Sequence, residues 1–206
     1  MPVQDVRAKL GTFDIKVDDL LVNLQPTDST YTFNYSLIQE GPRRNMKIIA
    51  HFSPADQPSW IPDSINGKKA GKKNKKAFQK RMELMSVKPA KIDSASLTGA
   101  VLSYYFIVTF SPDTSTIPPL YAYLKDCTAK AYINMATRNL EKITWENIRG
   151  TVNGDIKVSS VHLDVFPSRI DGKYKVVKEW CDMNSRNNDK LINYQETILY
   201  SAYRKL

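Results

Sequence analysis

The side chains whose type and spacing most plainly suggest chemistry in this sequence are basic. Between Asn66 and Met82 stand Lys68, Lys69, Lys72, Lys73, Lys75, Lys76, Lys80 and Arg81, with no acidic residue among them. The 206 residues include 30 Lys or Arg and 21 Asp or Glu, a formal charge of +9, so setting this one segment aside leaves about +1. Eight like charges without interspersed opposite charge repel one another, which points to a partner of opposite sign. Such lysines can neutralise nucleic-acid phosphates, with affinity falling as salt rises, or lie against anionic lipid headgroups. Lys72-Lys73-Asn74-Lys75-Lys76 also has the short basic pattern read by nuclear-import receptors. The bland alternative is a solvated loop that keeps the chain soluble.

Catalytic patterns are sparse. The chain holds no G-x-G-x-x-G or G-x-x-x-x-G-K-[ST] phosphate loop, no G-x-S-x-G elbow and no H-E-x-x-H pair. His51 and His162, with Cys127 and Cys181, would all have to converge to make a His/Cys metal site, so no metal and no cofactor is expected. A Cys127–His pair stays open as a nucleophile arrangement, but Cys127 falls on an apolar stripe, where a packed thiol is the commoner role. Asp18-Asp19 would point to opposite faces of a strand. The reading is of a protein that is not an enzyme.

Two further features bear on partners. Tyr31, Phe33 and Tyr35 alternate with Thr32, Asn34 and Ser36, so the rings share one strand face, either packed in the core or offered to single-stranded bases. Pro118-Pro119-Leu120-Tyr121 is a P-P-x-Y sequence of the kind that docks on WW domains, or else a proline-initiated helix start capped by Thr116. Through Pro118, Pro119, Tyr121, the Lys68–Arg81 cluster and its small size, the chain resembles the matrix proteins of negative-strand RNA viruses, of the rhabdovirus type, although here both features are internal. That resemblance implies a virion structural protein that self-associates and bridges a nucleocapsid and an anionic membrane. The alternative is a nucleic-acid-binding protein, such as a viral coat or movement protein, using the same lysines with the Tyr31, Phe33, Tyr35 face.

The elements that must position these groups read as mixed. Residues Phe13 to Val17 alternate briefly, and Tyr31 to Leu37 and Met46 to Phe52 form a hairpin through Gly41-Pro42-Arg43-Arg44. Phe78, Met82 and Met85 recur at helical spacing after a flexible start at Gly67 and Gly71. Val101 to Phe110 reads as a central strand, and Leu120, Leu124, Cys127, Ala131 and Met135 as one face of a helix. Thr144-Trp145-Glu146-Asn147 reads as a short helical turn ending before Gly150. Asn153-Gly154 and Asp171-Gly172 are hairpin turns, with a bulge expected near Ser159-Ser160. Tyr174, Val176 and Trp180 mark the returning strand, and Leu191 to Tyr203 a last one.

The expected fold class is α+β: a mainly antiparallel sheet with one or two helices in a single domain over 1–206, and a long basic loop-helix excursion at 53–95. No apolar run reaches membrane-spanning length and the N-terminus lacks signal-peptide character, so the expected location is intracellular, in cytoplasm and nucleus, with a peripheral-membrane or virion location implied by the matrix resemblance.

Overall fold

The computed structural model describes residues 3–42, 45–85, 88–147, 151–153, 156–187 and 190–206. Arg43, Arg44 and Gly154, expected in turns, and Gly150, expected to follow a helical turn, lie outside these. The described residues form twelve strands in one sheet. One wing holds β1 (Tyr31–Glu40), β2 (Met46–Phe52), β3 (Trp60–Ile65) and β4 (Lys68–Lys69). The other holds β5 (Thr98–Leu102), β6 (Tyr105–Phe110), β7 (Cys127–Asn134) and β8 (Asn139–Asn147). A short β9 (Thr151–Asn153) pairs with β10 (Ile156–Ile170), and β10, β11 (Lys173–Asn187) and β12 (Lys190–Lys205) are the long strands that join the wings. The order is β4-β3-β2-β1-β12-β11-β10-β8-β7-β6-β5, with antiparallel neighbours throughout.

Alternation decides which face is wet. In β1, Tyr31, Phe33, Tyr35 and Leu37 are buried while Asn34 and Ile38 are exposed, the pattern of a sheet with one packed face. Phe106, Val108 and Phe110 of β6 and Cys127, Ala129, Ala131 and Ile133 of β7 are buried in the same cluster. Four helical pieces also contribute to it: α1 (Val3–Thr12), α2 (Lys72–Met82) and the 3-10 segments Val17–Leu24 and Pro119–Leu124. Leu20, Leu21 and Leu24 are fully covered. Gly99 of β5 sets how closely α1 can approach, because a Cβ there would lie 2.9 Å from the Phe106 ring and 3.0 Å from Val6. None of the described helices is long and apolar enough to cross a membrane.

This architecture corrects the expected fold class. The chain is mainly β, not α+β, and residues 53–95 are no excursion. β3 and β4 extend the sheet from β2, and α2 is seated on it by Phe78 and Met82. Three local readings change as well. Residues 120–135 form a 3-10 segment followed by β7, because Cys127, Ala129, Ala131 and Ile133 also satisfy period two and strand pairing to β6 and β8 buries them. Thr144 and Trp145 lie in β8, with Trp145 wholly buried. Residues 101–110 are split at the turn residues Ser103 and Tyr104 into β5 and β6, with Ser103 at φ 53°, so β5 is a sheet edge and not a central strand. Phe13 to Val17 form no strand.

The basic helix is held by its last charge. Arg81 points inward, and its Nη2 donates to Glu196 Oε1 of β12 at 2.8 Å, with the Glu196 side chain only 11% exposed. Removing one member of such a pair strands the other. Arg81→Ala should therefore destabilise the fold by roughly 3 kcal/mol, whereas Lys76→Ala, on the exposed face of α2, should leave the melting transition where it is. Equal melting temperatures for the two variants would contradict the assigned role of Arg81.

Candidate ligand-binding cavity

Between the packed face of the sheet and the Val17–Leu24 segment lies a cavity of about 210 Å³. Its floor is aromatic: Tyr31 and Phe33 come from β1, Trp60 from β3, Tyr174 from β11, and Tyr200 and Tyr203 from β12. The rings brace one another, Phe33 lying 5.0 Å from Tyr203, 5.4 Å from Trp60 and 5.9 Å from Tyr200 between centroids. The roof is Asp18, Asp19, Val22 and Asn23, continued by the chain from Gln25 to Asp28, with Met85 from the stretch that follows α2.

Two strand irregularities place the polar groups. In β11 the pairing with β10 slips between Phe166↔Lys178 and Pro167↔Val176, which leaves Val177 as an extra residue. Proline at 167 has no backbone N–H to give the ladder, and such residues sit at bulges. An unbroken alternation from Tyr174 and Val176 would turn Trp180 inward. After the bulge it is Glu179 that is buried, at 3% exposure. In β12 the register against β1 slips between Thr32 and Asn34, and Ala202 takes φ 53°. Tyr203 thereby joins Tyr200 at the cavity, and its hydroxyl donates to the Val176 carbonyl at 2.7 Å.

Glu179 is the chemical centre. The Tyr200 hydroxyl donates to Oε1 at 2.9 Å, and the Tyr121 hydroxyl lies 3.1 Å from both carboxyl oxygens. A carboxylate has about four acceptor positions, so these two donors leave capacity on Oε2. Burial pushes the Glu179 carboxyl up to about 7 despite the opposing hydrogen bonds from Tyr200 and Tyr121. Burial also raises Asp19, partly countered by the Lys16 backbone N–H. Asp28 goes the other way: hydrogen bonds from Lys175 and Thr30 outweigh its desolvation and hold it well below the carboxylate range. Lys175 ion-pairs with Asp28 and lies 4.5 Å from the Tyr31 ring centroid. Asn23 is 4% exposed, and neither its Oδ1 nor its Nδ2 makes a hydrogen bond.

Of the residues singled out from sequence, Tyr31, Phe33, Asp18 and Asp19 line the cavity, and the basic cluster lies elsewhere. Lys68 and Lys69 are exposed on β4, and Lys72, Lys73, Lys76 and Lys80 are exposed on α2, with Lys75 half-buried and Arg81 in its ion pair. Lys72 to Lys76 form the first turns of α2. Pro118 is buried, Pro119 opens the 3-10 segment, and Tyr121 is buried against Glu179, so the P-P-x-Y motif is closed to a WW domain. Thr116 does not cap the segment; its hydroxyl donates to the Asp113 carbonyl. Tyr31, Phe33 and Tyr35 are buried, which removes the stacking platform from the nucleic-acid reading. Cys127 is buried, and burial pushes its thiol up to about 12. No cluster of potential metal ligands occurs among the described residues.

No protein-family model matches the chain. No curated protein matches it either. Among solved structures it is similar to a LolA superfamily protein from Nitrosomonas europaea, at 8% identity and a TM-score of 0.41, covering 100% of this chain and 94% of that one. It is also similar to a DUF1329 family protein from Desulfovibrio piger, at 7% identity and a TM-score of 0.37, covering 95% and 92%. The matrix resemblance is withdrawn on the structure itself, because Pro118 and Tyr121, which carried it with the lysine cluster, are buried in the core and the fold is one large antiparallel sheet. With it go the virion role, the bridging of nucleocapsid and anionic membrane, and the self-assembly it implied; the coat- or movement-protein alternative goes with the buried aromatic row.

The raised carboxyl of Glu179 sets a pH dependence of known sign. Between its ordinary 4.5 and about 7 the folded state holds a proton that the unfolded chain has released, so this group's contribution to stability is complete below 4.5 and is lost as pH rises through about 7. Glu179→Gln keeps the shape and removes the titration. Thermal melts at pH 5 and pH 8 should show the variant gaining on the wild type with rising pH, by on the order of 3 kcal/mol. A difference independent of pH would contradict the burial of an ionisable carboxyl at this site.

Proposed function

We propose that this chain is a binding protein, not an enzyme, and that it encloses a small, largely apolar molecule with one polar end in the cavity beneath the Val17–Leu24 segment. The observation that carries this reading is Asn23, a residue of the cavity wall whose amide oxygen and nitrogen are both buried without a hydrogen-bond partner. A buried polar group without a partner costs on the order of 1–3 kcal/mol. A ligand with a hydrogen-bonding head that reaches this amide recovers part of that loss. Apolar cavities of about 150 Å³ take up molecules the size of benzene, so 210 Å³ suits a ring or a chain of about six carbons. Rings that are fixed by one another and by strand pairing need little reordering when a ligand enters, which favours affinity.

Titration calorimetry with 1-hexanol tests this. Val176 lines the cavity from β11 and Val22 from its roof. Val176→Phe should abolish saturable hexanol binding while the variant still melts cooperatively, since overpacking of this kind typically costs about 1–3 kcal/mol. Val22→Phe, at a half-buried position, should do the same with less strain. Undiminished binding in both variants, or none in the wild type, would contradict the cavity as the binding site.

A further inference from the structure

The sign of the cavity is opposite to that of the molecule. The chain carries a formal +9, yet the charged side chains lining the cavity are Asp18, Asp19, Asp28 and Glu179 against Lys175 alone. Lys175 is already neutralised, because its ammonium is paired with Asp28. The same ammonium lies over the Tyr31 ring at 4.5 Å from the centroid, so one cavity ring already faces a cation. The face of an aromatic ring attracts positive charge, more strongly when both partners are out of water. Phe33, Trp60, Tyr200 and Tyr203 offer further ring surface around the buried Glu179.

We propose, building on the reading of the cavity as a binding site, that it selects organic ammonium ions: an amine head hydrogen-bonded to Glu179 and Asn23, with its apolar body among the rings. Glu179 has unused acceptor capacity on Oε2, and Asn23 in the cavity wall has an Oδ1 that is buried without a partner. A primary ammonium has three donors and no acceptor, which suits these two oxygens. A carboxylate buried with only neutral hydroxyl donors is costly, and an entering cation relieves that cost, whereas an entering anion would meet like charge in a poorly screened site. The basic helix α2 is on the outside of the molecule and its Arg81 is committed to Glu196, so neither cancels the local sign.

The test compares three probes with the same six-carbon body in titration calorimetry at pH 8: hexylammonium, 1-hexanol and hexanoate. Hexylammonium should bind at least about tenfold more tightly than hexanol, and hexanoate should not bind. In Glu179→Gln the ratio of cation to alcohol affinity should fall to near one. Equal binding of hexylammonium and hexanol by the wild type would overturn the cation preference while leaving the binding site standing. Preference for hexanoate would overturn it by sign. If none of the three binds, the cavity reading itself fails and the preference falls with it. The wild-type series decides the matter even if Glu179→Gln does not fold.

Discussion

A carboxyl group shut away from water must be met by donors, and the way this chain meets that of Glu179 ties its parts together. The Tyr200 hydroxyl comes from β12, the next strand in the sheet, and the Tyr121 hydroxyl comes from the Pro119–Leu124 segment across the core. An ion pair between Arg81 and Glu196 fastens α2 to the same strand. Polar bonds therefore fix the spacing between the sheet and two of its covering segments, where apolar packing alone would tolerate sliding. The cavity beneath the Val17–Leu24 segment persists in that frame as a space with defined walls.

The long strands do the positioning. β10, β11 and β12 carry 15, 15 and 16 residues, and an uninterrupted ladder of that length would keep every second side chain on the same face. The slips at Val177 and at Ala202 break phase, bringing Glu179 and Tyr203 inward. Each irregularity lies beside a cavity residue, as bulges near functional sites commonly do. Meanwhile most of the net positive charge is on α2 and β4, where Arg81 alone is turned inward to an ion pair. The molecule thus keeps most lysines of this cluster in solvent and its aromatic rings around a cavity lined by four carboxyl groups and one lysine.

Parts of this were legible in the sequence. The alternation of Tyr31, Phe33, Tyr35 and Leu37 marked β1 and its hairpin with β2, and Asp171-Gly172 marked the β10–β11 turn, where both residues take positive φ, 50° and 77°. The bulge at Ser159-Ser160 and the last strand were also readable from phase and alternation. The cavity was not. Glu179 reads as an outward residue until the slip at Val177 is known, and a slip depends on the partner strand's Pro167, not on local composition. Asp18 and Asp19 would diverge on a strand, but in a 3-10 turn both reach the cavity wall. Residues 127–133 satisfy helical and strand periods at once, and only pairing with neighbours on both sides resolves them. The lysine cluster is plain in the sequence because charge is a local property, whereas enclosure is a property of chain segments far apart.

The most direct test of the central claim, that the space beneath Val17–Leu24 is where a small molecule enters, is a methyl-resolved NMR titration with 1-hexanol. Val22, Val176 and Met85 reach the cavity from three different segments. Their methyl signals should shift together and saturate at one concentration, while those of Val101 and Leu102, exposed on the far edge strand, stay put. Shifts confined to the edge strand, or none at any of these methyls, would contradict the account.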